Sequence, residues 1–141
     1  EVGGLTNQSD LFMGVTNSSA DLSALYYMGQ TSDSEGVRSN GQTYGSGTIE
    51  ANCCIREIGV GGYFGFAVDL DADTMRVYFN GLPKETHTGV TGTYYPGVTI
   101  QYTGSEVTFN FGESAFKGTV PSGYNPAINR LPPSPLAKEV E

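Results

Sequence analysis

Apolar and polar residues alternate with a period of two in the second half of the chain, which is the pattern of half-buried β-strands. The first alternating stretch covers residues 64–70 and the next covers residues 75–79, with the aspartate-rich segment 71–74 between them. Asn-Gly follows at residues 80–81, a pair that tolerates the positive φ angles of tight turns. The pattern therefore predicts a β-hairpin over residues 64–79.

A second alternating pair follows after a Gly- and Thr-rich stretch, residues 82–93, which we expect to be a loop. Residues 95–102 and 107–111 alternate in the same way across a Gly-Ser turn, which favours a second hairpin. Strands with one apolar face must hide that face against another sheet. The predicted fold is therefore all-β, an antiparallel β-sandwich.

The first half of the chain has weaker patterns. Residues 11–15 form a compact apolar run that is typical of a strand buried on both faces. Residues 22–28 fit either a strand or one helical turn, and residues 29–48, rich in Gly and Ser, are expected to be long surface loops. We expect residues 49–58 to form an edge or connecting strand and residues 131–135, rich in proline, to be an extended linker.

Composition supports one small β-rich domain. The 141 residues include 20 Gly, 7 Pro and 16 aromatic residues, but only 22 charged ones, which is poor material for helices. This composition excludes a helix bundle, a coiled coil and membrane insertion by an apolar helix. A net charge of −8 repels phosphate backbones, so nucleic acid is not an expected partner.

Residues able to hold a metal or to catalyse a reaction are few. Asp69, Asp71 and Asp73 form a D-x-D-x-D pattern, which is typical of a hairpin turn here, with an adventitious cation site as the alternative. His87 is the single histidine and is expected to be exposed in a loop; the chain has no G-x-S-x-G motif. We therefore expect no catalytic residue, no metal and no cofactor, and the chain is interpreted as not being an enzyme.

Tyrosines beside predicted loops are the candidate binding residues. Tyrosine offers a large contact area with a polar end at low entropic cost, which suits recognition surfaces. The same side chains can instead pin loops onto the sandwich. The candidates, with one loop arginine in an otherwise acidic chain, are Tyr26, Tyr27, Arg38, Tyr44, Tyr94 and Tyr95.

Several short motifs, in their order and spacing, resemble the SPRY-domain family. They are F-M-G-V at residues 12–15, G-F-A-V-D-L-D at 65–71, V-Y-F-N-G at 77–81, Y-Y-P-G-V at 94–98, V-T-F-N-F-G at 107–112 and P-S-G-Y at 121–124. The resemblance covers residues 1–125 and leaves residues 126–141 as a proline-rich tail or linker. The Thr- and Gly-rich style and the N-R-L-P segment at 129–132 look most like bacteriophage virion and tail-protein versions.

The resemblance implies a bent antiparallel β-sandwich of the concanavalin A-like jelly-roll type, without catalytic residues. Such a domain presents loops from one rim to a protein or cell-surface ligand. We therefore expect a recognition or structural module in a virion or outside the cell, contacting other virion subunits and, within an assembly, copies of itself. A lectin-like carbohydrate binder, a cellular adaptor that binds a peptide and a purely structural role stay open as alternatives.

The chain departs from the family pattern in two places. It has no tryptophan, whereas relatives often carry one in the central loop, so family binding positions there cannot be transferred. Glu1 and Val2 resemble the end of the family's Y-x-E-V strand, so the domain is expected to begin within a strand. Either earlier residues or a partner chain adding a strand would then complete the sheet edge.

Overall fold

The computed structural model describes residues 2–3, 11–21, 27–45, 48–52, 62–101 and 106–125. These residues form ten strands and no helix, so none of them belongs to a helix able to cross a membrane. The strands are β1 (Val2–Gly3), β2 (Leu11–Asn17), β3 (Ser34–Arg38), β4 (Gln42–Gly45), β5 (Thr48–Asn52), β6 (Phe64–Asp69), β7 (Thr74–Phe79), β8 (Leu82–Thr88), β9 (Tyr94–Ile100) and β10 (Thr108–Phe109).

Two five-stranded antiparallel sheets pack face to face. The first has the strand order β10-β1-β6-β7-β8, and the second has the order β5-β4-β3-β2-β9. Their facing side chains form one buried cluster, to which both sheets contribute, and this confirms the predicted antiparallel β-sandwich. The cluster consists of Leu11, Met13, Val15 and Val37 from the second sheet, Phe64, Met75, Val77 and Phe79 from the first, and Val90.

The hairpin predicted over residues 64–79 is confirmed. β6 and β7 pair in register from Phe64 opposite Phe79 to Asp69 opposite Thr74. The carboxylate of Asp69 accepts hydrogen bonds from the backbone N–H groups of residues 71 and 72, at 3.1 and 3.0 Å. This local bonding is what an aspartate offers a turn, so the turn interpretation of the aspartates is also confirmed.

Residues 82–93 were expected to be a loop, and for residues 82–88 this prediction is wrong. Asn80 and Gly81 have φ angles of 48° and 79°, and this tight turn leads directly from β7 into β8. β8 lies at the edge of its sheet and exposes most of its side chains, so its sequence is polar and lacks an alternating apolar face.

The second predicted hairpin is wrong in its pairing. β9 pairs with β2 along its whole length, from Tyr94 opposite Asn17 to Ile100 opposite Leu11. β10 lies in the other sheet, where it pairs with β1. Alternation identifies the buried face of a strand but not its neighbour, which is why two consecutive strands were assigned to one hairpin.

Residues 29–48 contain two strands instead of the expected long surface loops, whereas the buried strand over residues 11–15 is confirmed as part of β2. β3 is buried over four of its five residues although its sequence is Ser-Glu-Gly-Val-Arg. The edge strand expected over residues 49–58 is confirmed for the part that β5 covers. Residues 53–58, 22–26 and 131–135 lie outside the described residues.

β1 lies inside the first sheet and not at its edge. Val2 pairs with Phe109 on one side and with Phe64 on the other. The strand expected around Glu1 and Val2 is thus present in the sheet over Val2–Gly3, with a neighbour on each side.

Candidate recognition cleft

Three of the predicted binding residues gather around Phe12 on the outer face of the second sheet. The ring of Tyr27 stacks on that of Phe12 with centroids 4.8 Å apart, and the ring of Tyr44 meets both edge-on. The guanidinium of Arg38 lies 5.4 Å from the centroid of the Phe12 ring, a cation–π contact. Sequence reasoning chose these residues separately; the pairing of β2 with β3 and of β3 with β4 places Arg38 and Tyr44 beside Phe12, and Tyr27 reaches the same face from outside the strands.

A row of glycines explains why the aromatic rings gather around Phe12. Gly14 pairs with Gly36 on one side and with Gly97 on the other, so the outer face of the second sheet has a trough without side chains. Met28 fills the trough, and a Cβ atom on Gly36 would lie only 2.9 Å from the Cβ of Met28. Phe12 and Tyr44 are buried in one cluster with Met28. Tyr44 therefore helps to pin a loop onto the sheet, which is the alternative to ligand contact stated above.

The remaining predicted residues begin β9, apart from Tyr26, which lies outside the described residues. Tyr94 is partly buried and packs against the main core, while Tyr95 is 53% exposed. Burial, and after it the negative charge of Glu35, raises the pKa of the Tyr94 phenol above its ordinary value. Tyr94 therefore keeps its proton to a higher pH than an ordinary tyrosine.

His87 is buried and not exposed in a loop as expected. Only 1% of it is exposed, and its Nδ1 lies 2.9 Å from Oε2 of Glu35, which is itself 7% exposed. His87 belongs to β8 in the first sheet and Glu35 to β3 in the second, so this hydrogen bond joins the two sheets. The prediction was wrong because a single polar residue in a polar strand carries no signal of the direction in which it faces.

A cleft of about 670 Å³ lies along β6, and residues of both sheets line it. Its lining includes most of β6, the turn that follows β6 and part of the segment 109–125. Eight of the lining residues are aromatic: Tyr63, Phe66, Tyr78, Tyr94, Phe109, Phe111, Phe116 and Tyr124. Of these residues, sequence reasoning named only Tyr94 as a binding candidate.

One asparagine shapes the segment 109–125, which contributes to the lining of the cleft. The amide nitrogen of Asn110 lies 3.2 Å from the carbonyl oxygen of Ser114 and 3.3 Å from that of Ala115, and it donates to both. Its side-chain oxygen accepts a hydrogen bond from the backbone N–H of Gly112. This bonding folds the segment back on itself and keeps the stacked rings of Phe109 and Phe111, 5.4 Å apart, beside the cleft.

The described lining of the cleft is acidic. Among the described residues, Asp69 and Asp71 line it and no lysine, arginine or histidine does. The Nζ atom of Lys117 lies 5.9 Å from the centroid of the Tyr63 ring. An aromatic and acidic lining favours neutral or cationic ligands over anions.

Periodicity gave no signal for most of the cleft. Tyr78 occupies the polar-facing register of β7, and Tyr63 precedes β6, so alternation marks neither as important. Phe116 and Tyr124 lie in a segment without strands, where no repeat exists to read. No cluster of three or more His, Cys, Asp or Glu side chains suited to a metal ion occurs in the described ranges.

Comparison with known proteins gives no family. No protein-family model matches the chain, and a search of curated proteins finds no significant match. The resemblance to the SPRY family therefore stays a prediction from the sequence motifs.

Proposed function

We propose that this chain is a non-enzymatic recognition module of the SPRY type, part of a phage-like virion or tail protein. It binds a protein or cell-surface ligand at the aromatic cleft and the loops that border it. The observation that carries this proposal is the cleft itself, an open space of about 670 Å³ lined by eight aromatic residues. Aromatic groups left accessible beside a finished core are typical of binding surfaces.

The turn between β6 and β7 and the segment 109–125 are the loops of this surface. The Asp69 carboxylate holds the turn by accepting a hydrogen bond from a backbone N–H group, and the Asn110 amide holds the segment by donating to a backbone carbonyl. Loops ordered before binding lose less conformational entropy when a ligand arrives. Repetition of such modules on a particle would add avidity to a weak single-site affinity.

A lectin-like carbohydrate-binding function is the second candidate. It is favoured by the four tyrosines that line the cleft together with Asp69, Asp71 and Asn110. Tyrosine rings can cover the apolar faces of sugars, while carboxylate and amide groups can hydrogen bond to hydroxyl groups.

Parallel screening separates these two functions. The purified chain is tested against a displayed library of random peptides and against a panel of oligosaccharides. A protein-recognition module enriches peptides and loses their binding at least tenfold in the Tyr124→Ser variant, since Tyr124 lines the cleft. Ile100→Ser is the control, because Ile100 is 46% exposed but does not line the cleft. Binding of oligosaccharides alone would support the lectin function instead.

Mass photometry of native material tests the virion assignment. A chain purified from its source within a megadalton assembly would support a particle component. A free monomer of 15.0 kDa with intact termini would contradict that assignment and favour a lectin or adaptor.

A further inference from the structure

Met28 differs in position from the other two methionines of the chain. Met13 and Met75 belong to the core cluster between the two sheets, and both are 0% exposed. Met28 lies outside that cluster, on the outer face of the second sheet, and is 4% exposed. Its side chain therefore becomes accessible when one peripheral segment opens, whereas Met13 and Met75 become accessible only when the sheets separate.

Residues 27–33, here called the strap, contact the second sheet through Met28. The Cβ of Met28 lies 2.9 Å from the place that a Cβ on Gly36 would occupy, and its Sδ lies 3.3 Å from the corresponding place on Gly97. Gly36 belongs to β3 and Gly97 to β9, and β2 lies between these two strands. The side chain of Met28 thus spans the glycine trough and rests directly on the backbone of the sheet.

Hydrogen bonds fix the strap at the end that leads into β3. The carbonyl oxygen of Asp33 accepts from the backbone N–H of Asn17 at 2.8 Å and from the hydroxyl of Thr16 at 3.1 Å, so this end is tied to β2. Nearer to Met28, the N–H of Gly29 donates to Oγ of Ser34 at 2.9 Å. Departure of Met28 from the trough leaves the bonds of Asp33 in place, and the bond of Gly29 reports whether the strap has opened.

We propose that Met28 is a site of oxidation to methionine sulfoxide, and that this oxidation releases the strap from the second sheet. The oxidant is a peroxide. With hydrogen peroxide, the lone pair of Sδ attacks one oxygen, the O–O bond breaks, and the second oxygen leaves as water after proton transfer. Sulfur loses two electrons and the peroxide gains them, and methionine sulfoxide reductases reverse the change. This inference goes beyond the proposed recognition function and does not depend on it.

A sulfoxide does not suit the trough. Oxidation turns a flexible apolar thioether into a polar group that carries an additional oxygen atom. The sulfur of Met28 already lies against the backbone of β9, and the rings of Phe12 and Tyr44 pack around the same side chain. Because a polar group is costly to bury in such surroundings, the oxidised side chain moves out to water. Its departure uncovers Phe12 and Tyr44, so the oxidised chain presents an aromatic surface that the reduced chain hides.

Peroxide treatment followed by peptide mapping tests the site of oxidation. Cleavage after aspartate and glutamate places the three methionines in separate peptides, which are 11–21, 22–33 and 74–85. In millimolar hydrogen peroxide the native chain should gain an oxygen atom in peptide 22–33 at least about tenfold faster than in the other two, because local opening is more frequent than global unfolding. The control is the chain unfolded in urea, in which the three peptides should be oxidised at about equal rates.

Amide hydrogen exchange of the ¹⁵N-labelled chain tests the release of the strap. After oxidation of Met28, the amide of Gly29 should exchange at least about tenfold faster, while the amides of β7, a central strand of the first sheet, should stay protected. Treatment with methionine sulfoxide reductases should restore slow exchange. Met28→Leu is the matched control, since leucine is apolar, similar in volume and without sulfur, and it should show no response to peroxide. Met28→Gln, which is polar, should speed exchange at Gly29 without peroxide.

Three results would overturn the proposal. They are oxidation of Met28 no faster than that of Met13 and Met75, unchanged exchange at Gly29 once Met28 is oxidised, and an equal response to peroxide in Met28→Leu. Loss of protection in β7 together with Gly29 would also overturn it, because the whole chain and not the strap would then have opened. None of these results bears on ligand binding at the cleft, so the proposed recognition function stands or fails separately.

Discussion

Replacing Glu35 removes the hydrogen bond that joins the two sheets. Its carboxylate lies 2.9 Å from Nδ1 of His87, and both residues are less than 9% exposed. Glu35→Ala takes the acceptor from a buried imidazole, a change that costs about 2–4 kcal/mol in the free energy of unfolding. Glu35→Gln keeps an acceptor oxygen at nearly the same place and should cost about 1 kcal/mol.

A double-mutant cycle isolates this contact from the other effects of each substitution. Glu35→Ala, His87→Gln and the double variant are unfolded in urea at constant pH and followed by far-ultraviolet circular dichroism. Direct contact predicts a coupling of about 1–3 kcal/mol, whereas independent sites add to within about 0.5 kcal/mol. Thr86→Ala is the control on the same strand, because the Thr86 hydroxyl bonds to Arg76 at an exposed position, and it should change stability by less than about 0.5 kcal/mol. Additive effects of the two buried substitutions would refute the cross-sheet contact.

Two further predictions concern Tyr94 and the glycine row. Because burial and the charge of Glu35 raise the pKa of Tyr94, the contribution of Tyr94 to stability should be fully present below pH ~10 and be lost as pH rises through the raised pKa, since the unfolded tyrosine loses its proton first. Absorbance titration at the phenolate band should show a late-titrating component that is lost in Tyr94→Phe and shifted to lower pH in Glu35→Gln; an unchanged titration in both would contradict this. Gly36→Ala should destabilise the fold by about 1–3 kcal/mol because the new methyl group meets Met28, while Gly65→Ala, whose Cβ would contact Tyr78 at an ordinary 3.5 Å, should be nearly neutral. Equal urea midpoints for the two variants would contradict the packing of Met28 on the glycine row.

The strands that sequence reasoning predicted are those that bury one regular apolar face. Met75, Val77 and Phe79 alternate with polar residues and face the core, so β7 could be assigned from its pattern. β3 could not, because the residues it buries include Ser34, Glu35 and a glycine. Burial of Glu35 depends on a partner far away in sequence, His87, which no local pattern specifies.

The candidate site was harder to predict than the fold. Tyr27, Arg38 and Tyr44 were selected by residue type; the pairing of β2, β3 and β4 places Arg38 and Tyr44 beside Phe12, and Tyr27 reaches the same face from outside the strands. The cleft depends on how β6 lies relative to the segment 109–125 and to residues of the second sheet. The alternation of apolar residues in β6 carries no sign of that arrangement.

Mapping a selected ligand onto the chain is the most direct test of the recognition function on which this account depends. A peptide enriched from the random library is added to the ¹⁵N-labelled chain, and the account predicts that the amide signals of Phe66, Phe111 and Tyr124, which line the cleft, are the ones that shift. Shifts confined to residues outside the cleft, such as those around Ile100, would contradict it.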